Sequence, residues 1–176
     1  MMQEASCDIV LTVNDYNLLR RDAAREIFPR VQQSGIGLMN AGVFYMGLLA
    51  DTKRGWQGGF LQTLHQPKLV SIAESMELWL QEHYDGLPLR TVALAFGLRD
   101  ERIACLPIGF RRSNEVDECV ASLTAASIHC NEEFWARFEA HSNTRSCALH
   151  EHHRTSPHDF YSLDCTDIHA STPKKR

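Results

Sequence analysis

Apolar positions along the chain change period several times, from short continuous runs to stripes recurring every three or four residues. Residues 7–13, CDIVLTV, form a run rich in β-branched side chains and bounded by polar positions, the pattern of a strand covered on both faces. Residues 22–33 then place Ala24, Ile27, Phe28 and Val31 at helical spacing, with Asp22 as a candidate N-cap and Gly35 as a C-terminal stop. Pro29 either kinks this helix or opens its main portion from a first turn, where no N–H is needed. Residues 36–40 are a second strand, and residues 51–66, DTKRGWQGGFLQTLHQ, have the composition of a long mobile loop. The clearest helix is 67–84, where Leu69, Ile72, Ala73, Met76, Trp79, Leu80 and His83 make one stripe. Pro88 opens another pattern through Leu89, Val92, Ala93 and Phe96, ending near Arg99. Residues 103–108 are the third strand. Ser113 is then expected to cap a helix with Val116, Val120 and Leu123 on one face, and Glu115, Asp117 and Glu118 in its first turns suit the helix dipole. A short aromatic helix over 134–138 follows, and beyond about His141 the polar, histidine-rich, aperiodic sequence reads as a disordered tail.

Composition narrows the function classes. The 176 residues suit one domain, 44% hydrophobic content suffices for a core, and a net charge of −4 offers no basic field for nucleic acid. The N-terminal residues MMQEASC lack the basic and apolar segments of a signal peptide, and the longest mostly apolar uncharged run, 36–50, contains Asn40 and three glycines. It falls short of the ~20 residues of a membrane span, so a cytoplasmic protein with no membrane partner is expected. Six cysteines show no C-x-x-C pair and read as free thiols. The HEHHR stretch at 150–154 has Arg154 where a second zinc-binding histidine would be needed, so no metal is expected.

Three strand-then-helix units fit many α/β folds, and more specific wording comes from the motifs. DIVLTVNDYNLL, GIGLMNAGVFYMGLLAD, PLRTVALAFGLRDERIACLPIGFRRSNEVDECVASL and EEFWARF resemble, in order and spacing, the C-terminal half of an aldo-keto reductase. GVF followed by GLLAD is similar to the branch of dehydrogenases acting on D-threo-aldoses such as fucose. The resemblance covers about residues 7–139. It implies an α/β fold that is a partial (β/α)8 TIM barrel, comprising about its last three β/α units. The expected layout is a barrel half over 1–139 and a disordered tail over 140–176.

The same resemblance implies a function at the C-terminal ends of the strands, with NADP or NAD as cofactor. Tyr16 would stack on the nicotinamide ring. Gly42, Gly47 and Leu48 would lie in the loop that follows the pyrophosphate, and Gly109, Arg111, Arg112 and Ser113 would form the turn that meets the adenosine phosphate. Glu118 would lie near the adenine. The two arginines favour NADP. Taken without the family, Tyr16 reads as an aromatic packed under a helix and the arginines as a solvated pair. Two departures from the family pattern are expected to weaken coenzyme affinity. Cys119 stands where an asparagine is usual, and Gly42 replaces a side-chain hydroxyl.

The family's catalytic tyrosine, lysine, aspartate and histidine belong to the other half of the barrel, and Tyr16, Tyr45, Tyr84 and Tyr161 lie outside its signature. Hydride transfer to a carbonyl needs a proton partner, so no catalytic residue is assigned here and the chain alone is expected to be inactive. It reads as the coenzyme-binding half of an enzyme acting on a sugar or carbonyl substrate, its upstream portion lying elsewhere. Two alternatives remain: a non-catalytic nucleotide-binding or interaction module, and self-association in which two chains pair their sheets.

Overall fold

The computed structural model describes residues 7–53 and 67–150. Three strands form one parallel sheet in sequence order, β1 (Ile9–Val13), β2 (Gly37–Ala41) and β3 (Ile103–Cys105). Ile9 lies opposite Gly37 and the register runs unbroken to Val13 opposite Ala41. Between β2 and β3 the register slips at Leu38 and Met39, which face Ile103 and Cys105. Parallel neighbours require crossover connections, and helices supply them.

The first crossover splits in two around Ile27. Helix α1 covers Asp22–Glu26 and α2 covers Phe28–Ser34, with Pro29 in the first turn of α2, so the proline starts a helix instead of bending one. Gly35 ends α2 in the left-handed region at φ 64°, which glycine adopts without a Cβ penalty. After β2 come α3 (Pro67–His83) and α4 (Leu89–Leu98), then β3, α5 (Ser113–His129) and α6 (Glu132–His150). The helix expected at 134–138 is therefore longer at both ends, and residues 140–150 of the expected disordered tail continue it. The rest of that tail, the HEHHR stretch beyond His150 and all but the first three residues of the expected 51–66 loop lie outside the described residues.

The core lies between the sheet and the helices. Leu38 on β2, Phe28 on α2, Leu80 on α3, Val92 on α4 and Phe134 and Phe138 on α6 are buried together. Trp79 anchors α3 against α6, its ring meeting those of Phe134 and Phe138 edge-on at 6.3 and 5.6 Å. Arg99 ties α4 to α6 from outside, bonding Glu139 at 2.7 Å and lying 4.9 Å over the Trp135 ring.

One expectation about the sheet needs correcting. Helices cover the side bearing Thr12, Leu38 and Asn40, but Ile9, Leu11 and Val13 point the other way and are exposed. Among the described residues nothing covers that face. The Val116, Val120 and Leu123 stripe on α5 is exposed too, since α5 turns Cys119 and Ser122 inward instead. No described helix is long and apolar enough to cross a membrane.

Candidate functional site

The chain leaves β2 through a loop whose backbone is held in an uncommon conformation. Gly42 has φ 77°, and a Cβ there would land on the side-chain oxygen of Asn14, at the end of β1. Only glycine fits. Tyr45, Met46 and Gly47 follow at φ 44°, 59° and 91°, a run of left-handed residues of which two are not glycine. The cost, on the order of 1 kcal/mol for each such non-glycine residue, is offset by burial. Tyr45 and Leu48 are sunk in the core, and Tyr45 N–H and Leu49 N–H close the turn onto Gly42 and Phe44 carbonyls at 2.9 and 3.0 Å. The amides of Met46 and Gly47 donate to no backbone acceptor among the described residues.

Opposite this loop stands the turn from β3 into α5. The helix is capped by Arg112 in extended conformation, not by Ser113, which is already its first helical residue. The Glu115 carboxylate reaches back to accept the Arg111 N–H at 2.7 Å and the Arg112 N–H at 3.4 Å, and it accepts Arg112 Nε at 3.3 Å. These bonds, the Arg111 amide foremost, hold the Glu115 carboxyl below the usual carboxylate range. A small apolar cluster of Val43, Leu94 and Cys119 joins loop, α4 and α5 beneath them. Gly97 on α4 permits the approach, because a Cβ there would come 2.7 Å from the Val43 side chain.

Loop, turn and cluster enclose a cleft of about 470 Å³. Six of the nine residues predicted from the sequence line it: Gly42, Gly47, Gly109, Arg111, Arg112 and Glu118. Its cations are Arg90, Arg111 and Arg112. Arg90 Nη1 lies 3.4 Å from Glu118, while its buried Nε has no hydrogen-bond partner among the described residues. The Arg111 guanidinium has no ion-pair partner among the described residues. Amides without backbone acceptors on one wall and the Arg90 and Arg111 guanidinium groups on the other can meet phosphate oxygens, alongside the carboxylates of Asp51, Glu115 and Glu118 that line the same cleft. Phe44, Met46 and Phe110 add apolar surface.

Three predicted residues lie off the cleft. Tyr16 is 7% exposed, stacked on Phe96 and tilted against Phe28, each at 4.8 Å between ring centres. In this structure it packs as part of the core, off the cleft that the other predicted residues share. Burial also raises the pKa of its phenol, unlike a proton donor tuned for neutral pH. Leu48 is fully buried and supports the loop from below, its amide bonded to the Tyr45 carbonyl at 3.2 Å. Ser113 is exposed beside the cleft without lining it. Cys119 does line it, as a buried thiol of the floor whose pKa burial raises.

Sequence reasoning passed over Arg90 and gave Glu115 only a dipole role. Arg90 had no local signal, because it reaches the cleft from a helix whose other residues read as core. Glu115 had one: an acidic residue at the third helical position is the capping-box spacing.

Comparison with known proteins bears on the family. A family model described as the aldo/keto reductase family matches residues 1–143. Over 134 residues the chain is 28% identical to a pyridoxal 4-dehydrogenase of Microbacterium luteolum, covering 76% of this chain and 37% of that protein. Over 121 residues it is 27% identical to a D-threo-aldose 1-dehydrogenase of a Pseudomonas species, covering 66% and 35% respectively. The chain thus spans little more than a third of the length of these curated relatives. It belongs to the aldo/keto reductase family.

Proposed function

We propose that this aldo/keto reductase chain is the coenzyme-holding side of a partial (β/α)8 barrel, contributing its last three β/α units to an NAD(P)-dependent oxidoreductase. The observation that carries this reading is the convergence of Gly42, Gly47, Gly109, Arg111, Arg112 and Glu118 on one cleft at the C-terminal ends of β2 and β3. The Met46 and Gly47 amides would meet the diphosphate, with the Arg111 guanidinium and the outer part of the Arg90 guanidinium on its other side. Phe110 and Glu118 would flank the adenosine. When bound, the coenzyme supplies the hydride acceptor or donor. This chain's residues bind and orient it, and the Val43–Leu94–Cys119 floor keeps water from beneath it.

The proton-handling groups of such a reaction are expected on the remaining part of the barrel. Tyr16 and Tyr45 are buried in the core and do not line this cleft. The substrate is proposed to be a sugar or other carbonyl compound, in keeping with the two relatives. The exposed Ile9, Leu11 and Val13 face and the exposed α5 stripe support a barrel continued by further strands and helices. A non-catalytic nucleotide-binding module is the alternative, favoured by the lack of a tyrosine or histidine among the described residues that line the cleft.

Calorimetric titration of the 176-residue chain with NADH and NADPH tests the binding claim. Saturable binding of at least one is expected, weakened about tenfold by Arg111→Ala through loss of a charge-assisted contact. A cooperatively folded protein that takes up neither would overturn it. Aldose- or pyridoxal-dependent reduction of coenzyme by this chain alone would show that the proton donor lies within it.

A further inference from the structure

Away from the cleft, a group of titratable side chains lies where α6 meets α3, and the proposed function does not use it. The Trp79 indole is stacked by two imidazoles, His83 on its own helix at 5.0 Å and His141 on α6 at 5.4 Å between ring centres, with interplanar angles of 19° and 22°. His141 is half-buried, and its Nε2 lies 3.3 Å from the hydroxyl oxygen of Ser75, which is buried on α3. Ser71, Glu74, Leu78 and Glu82 of α3 complete a groove beside these rings. Immediately after His141, the Ser142 hydroxyl donates back to the Phe138 carbonyl at 2.8 Å, a bond that competes with the helix's own ladder and slackens it. The imidazole therefore fastens α6 where its backbone bonding is contested.

Charge sets how firmly it does so. An imidazolium stacked on an indole gains a cation–π attraction that a neutral imidazole lacks. Among the described residues the groove is lined from α3 and α6 alone, and Glu74 and Glu82 bring negative charge to it. The opposing cations are His83, when protonated, and Arg137, one turn before His141, whose guanidinium lies 5.4 Å over the Tyr84 ring. The Ser75 hydroxyl serves either form of His141, since it can accept from a protonated Nε2 or donate to a bare one. Two carboxylates and the indole thus favour the cation, against one arginine engaged on another ring. From this geometry we infer that His141 is a pH-sensitive fastener, whose protonation tightens the docking of α6 on α3. The inference stands apart from the coenzyme reading. A docked state that favours the imidazolium takes up a proton on docking. The added hold is therefore present below the ordinary histidine range, near pH ~6.5, and is lost as pH rises through it.

The test is hydrogen exchange read by mass spectrometry on the full chain, at about pH 5.5 and about pH 8, with the intrinsic pH dependence of exchange divided out. Residues 139–150 are expected to be protected about fivefold more at the lower pH, the scale of a partly exposed cation–π contact, while residues 89–98 of α4 stay within about twofold. His141→Gln keeps a partner for the Ser75 hydroxyl but does not titrate, and it should abolish the difference. His83→Gln should retain most of it. Equal protection at the two pH values in the wild-type chain, or greater protection at the higher one, overturns the inference even if neither variant folds. So does a difference that survives His141→Gln, or one that is lost with His83→Gln. A change of the same size in α4 also overturns it, because the whole chain would then be responding to pH.

Discussion

Thr12, Leu38 and Asn40 lie on one side of the sheet, beneath helices, and all are buried to within a few per cent of full exclusion from solvent. Ile9 and Leu11, on the other side of the same strands, keep 58% and 52% of their surface exposed. The side chains are equally apolar or more so on the open side, so composition does not explain the difference. The covered side even tolerates polar groups, because each finds a partner. Asn40 Nδ2 donates to the Tyr16 carbonyl at 3.0 Å, and Thr12 Oγ1 to the Met39 carbonyl at 3.4 Å. What separates the faces is the presence of a second layer, and apolar residues on an open face mark where another layer is expected.

Substitutions along β1 and β2 turn that contrast into measurements. The largest effect is expected from Leu38→Ala, which leaves a cavity under the helices and should cost about 2–5 kcal/mol in denaturant unfolding. Leu11→Ser, one residue away in register on the opposite face, should cost less than about 1 kcal/mol in this chain and reduce its tendency to associate. A Leu11→Ser cost as large as that of Leu38→Ala would mean that the open face is covered in solution, and sedimentation measurements would then identify self-association as the cause.

Thiol labelling refines the comparison without changing stability. Cys105 at the end of β3 is exposed, whereas burial pushes the Cys130 thiol up to about 11. Thiolate is the reactive form, so iodoacetamide near neutral pH should modify Cys105 well before Cys130. Mass spectrometry of the digested protein reads the order. Protection of Cys105 on adding a complementary barrel segment would locate that segment at the β3 end of the sheet. Equal rates at the two cysteines in the folded chain would contradict the burial that distinguishes them.

Much of this arrangement was legible beforehand. The α3 stripe from Leu69 to Leu80 is buried as its spacing indicated, with Ile72 partly so, and Pro29 and Gly35 mark the start and stop of α2 as their restricted and permissive backbones require. The cleft glycines and arginines were also recognisable, because short motifs carry turn chemistry locally. The packing of Tyr16 was not legible in the same way. A strand-end aromatic can face a ligand or the core, and the choice was settled by Phe28 and Phe96, 12 and 80 residues further along the chain. The α5 stripe misled for a related reason: periodicity reveals an apolar face but not whether anything lies against it.

Sequence alone determined the order of strands and helices, the family, and which backbone positions had to be glycine, since these depend on period, local sterics and motif order. Tertiary structure decided that Arg112 is engaged by Glu115, that Arg90 joins the cleft, that Tyr16 packs in the core and that one face of the sheet is left uncovered by the described residues. Each of these depends on which charges and surfaces meet across elements distant in sequence or folded back on a helix end. Electrostatic pairing and burial act through distance in space, which the linear chain does not contain.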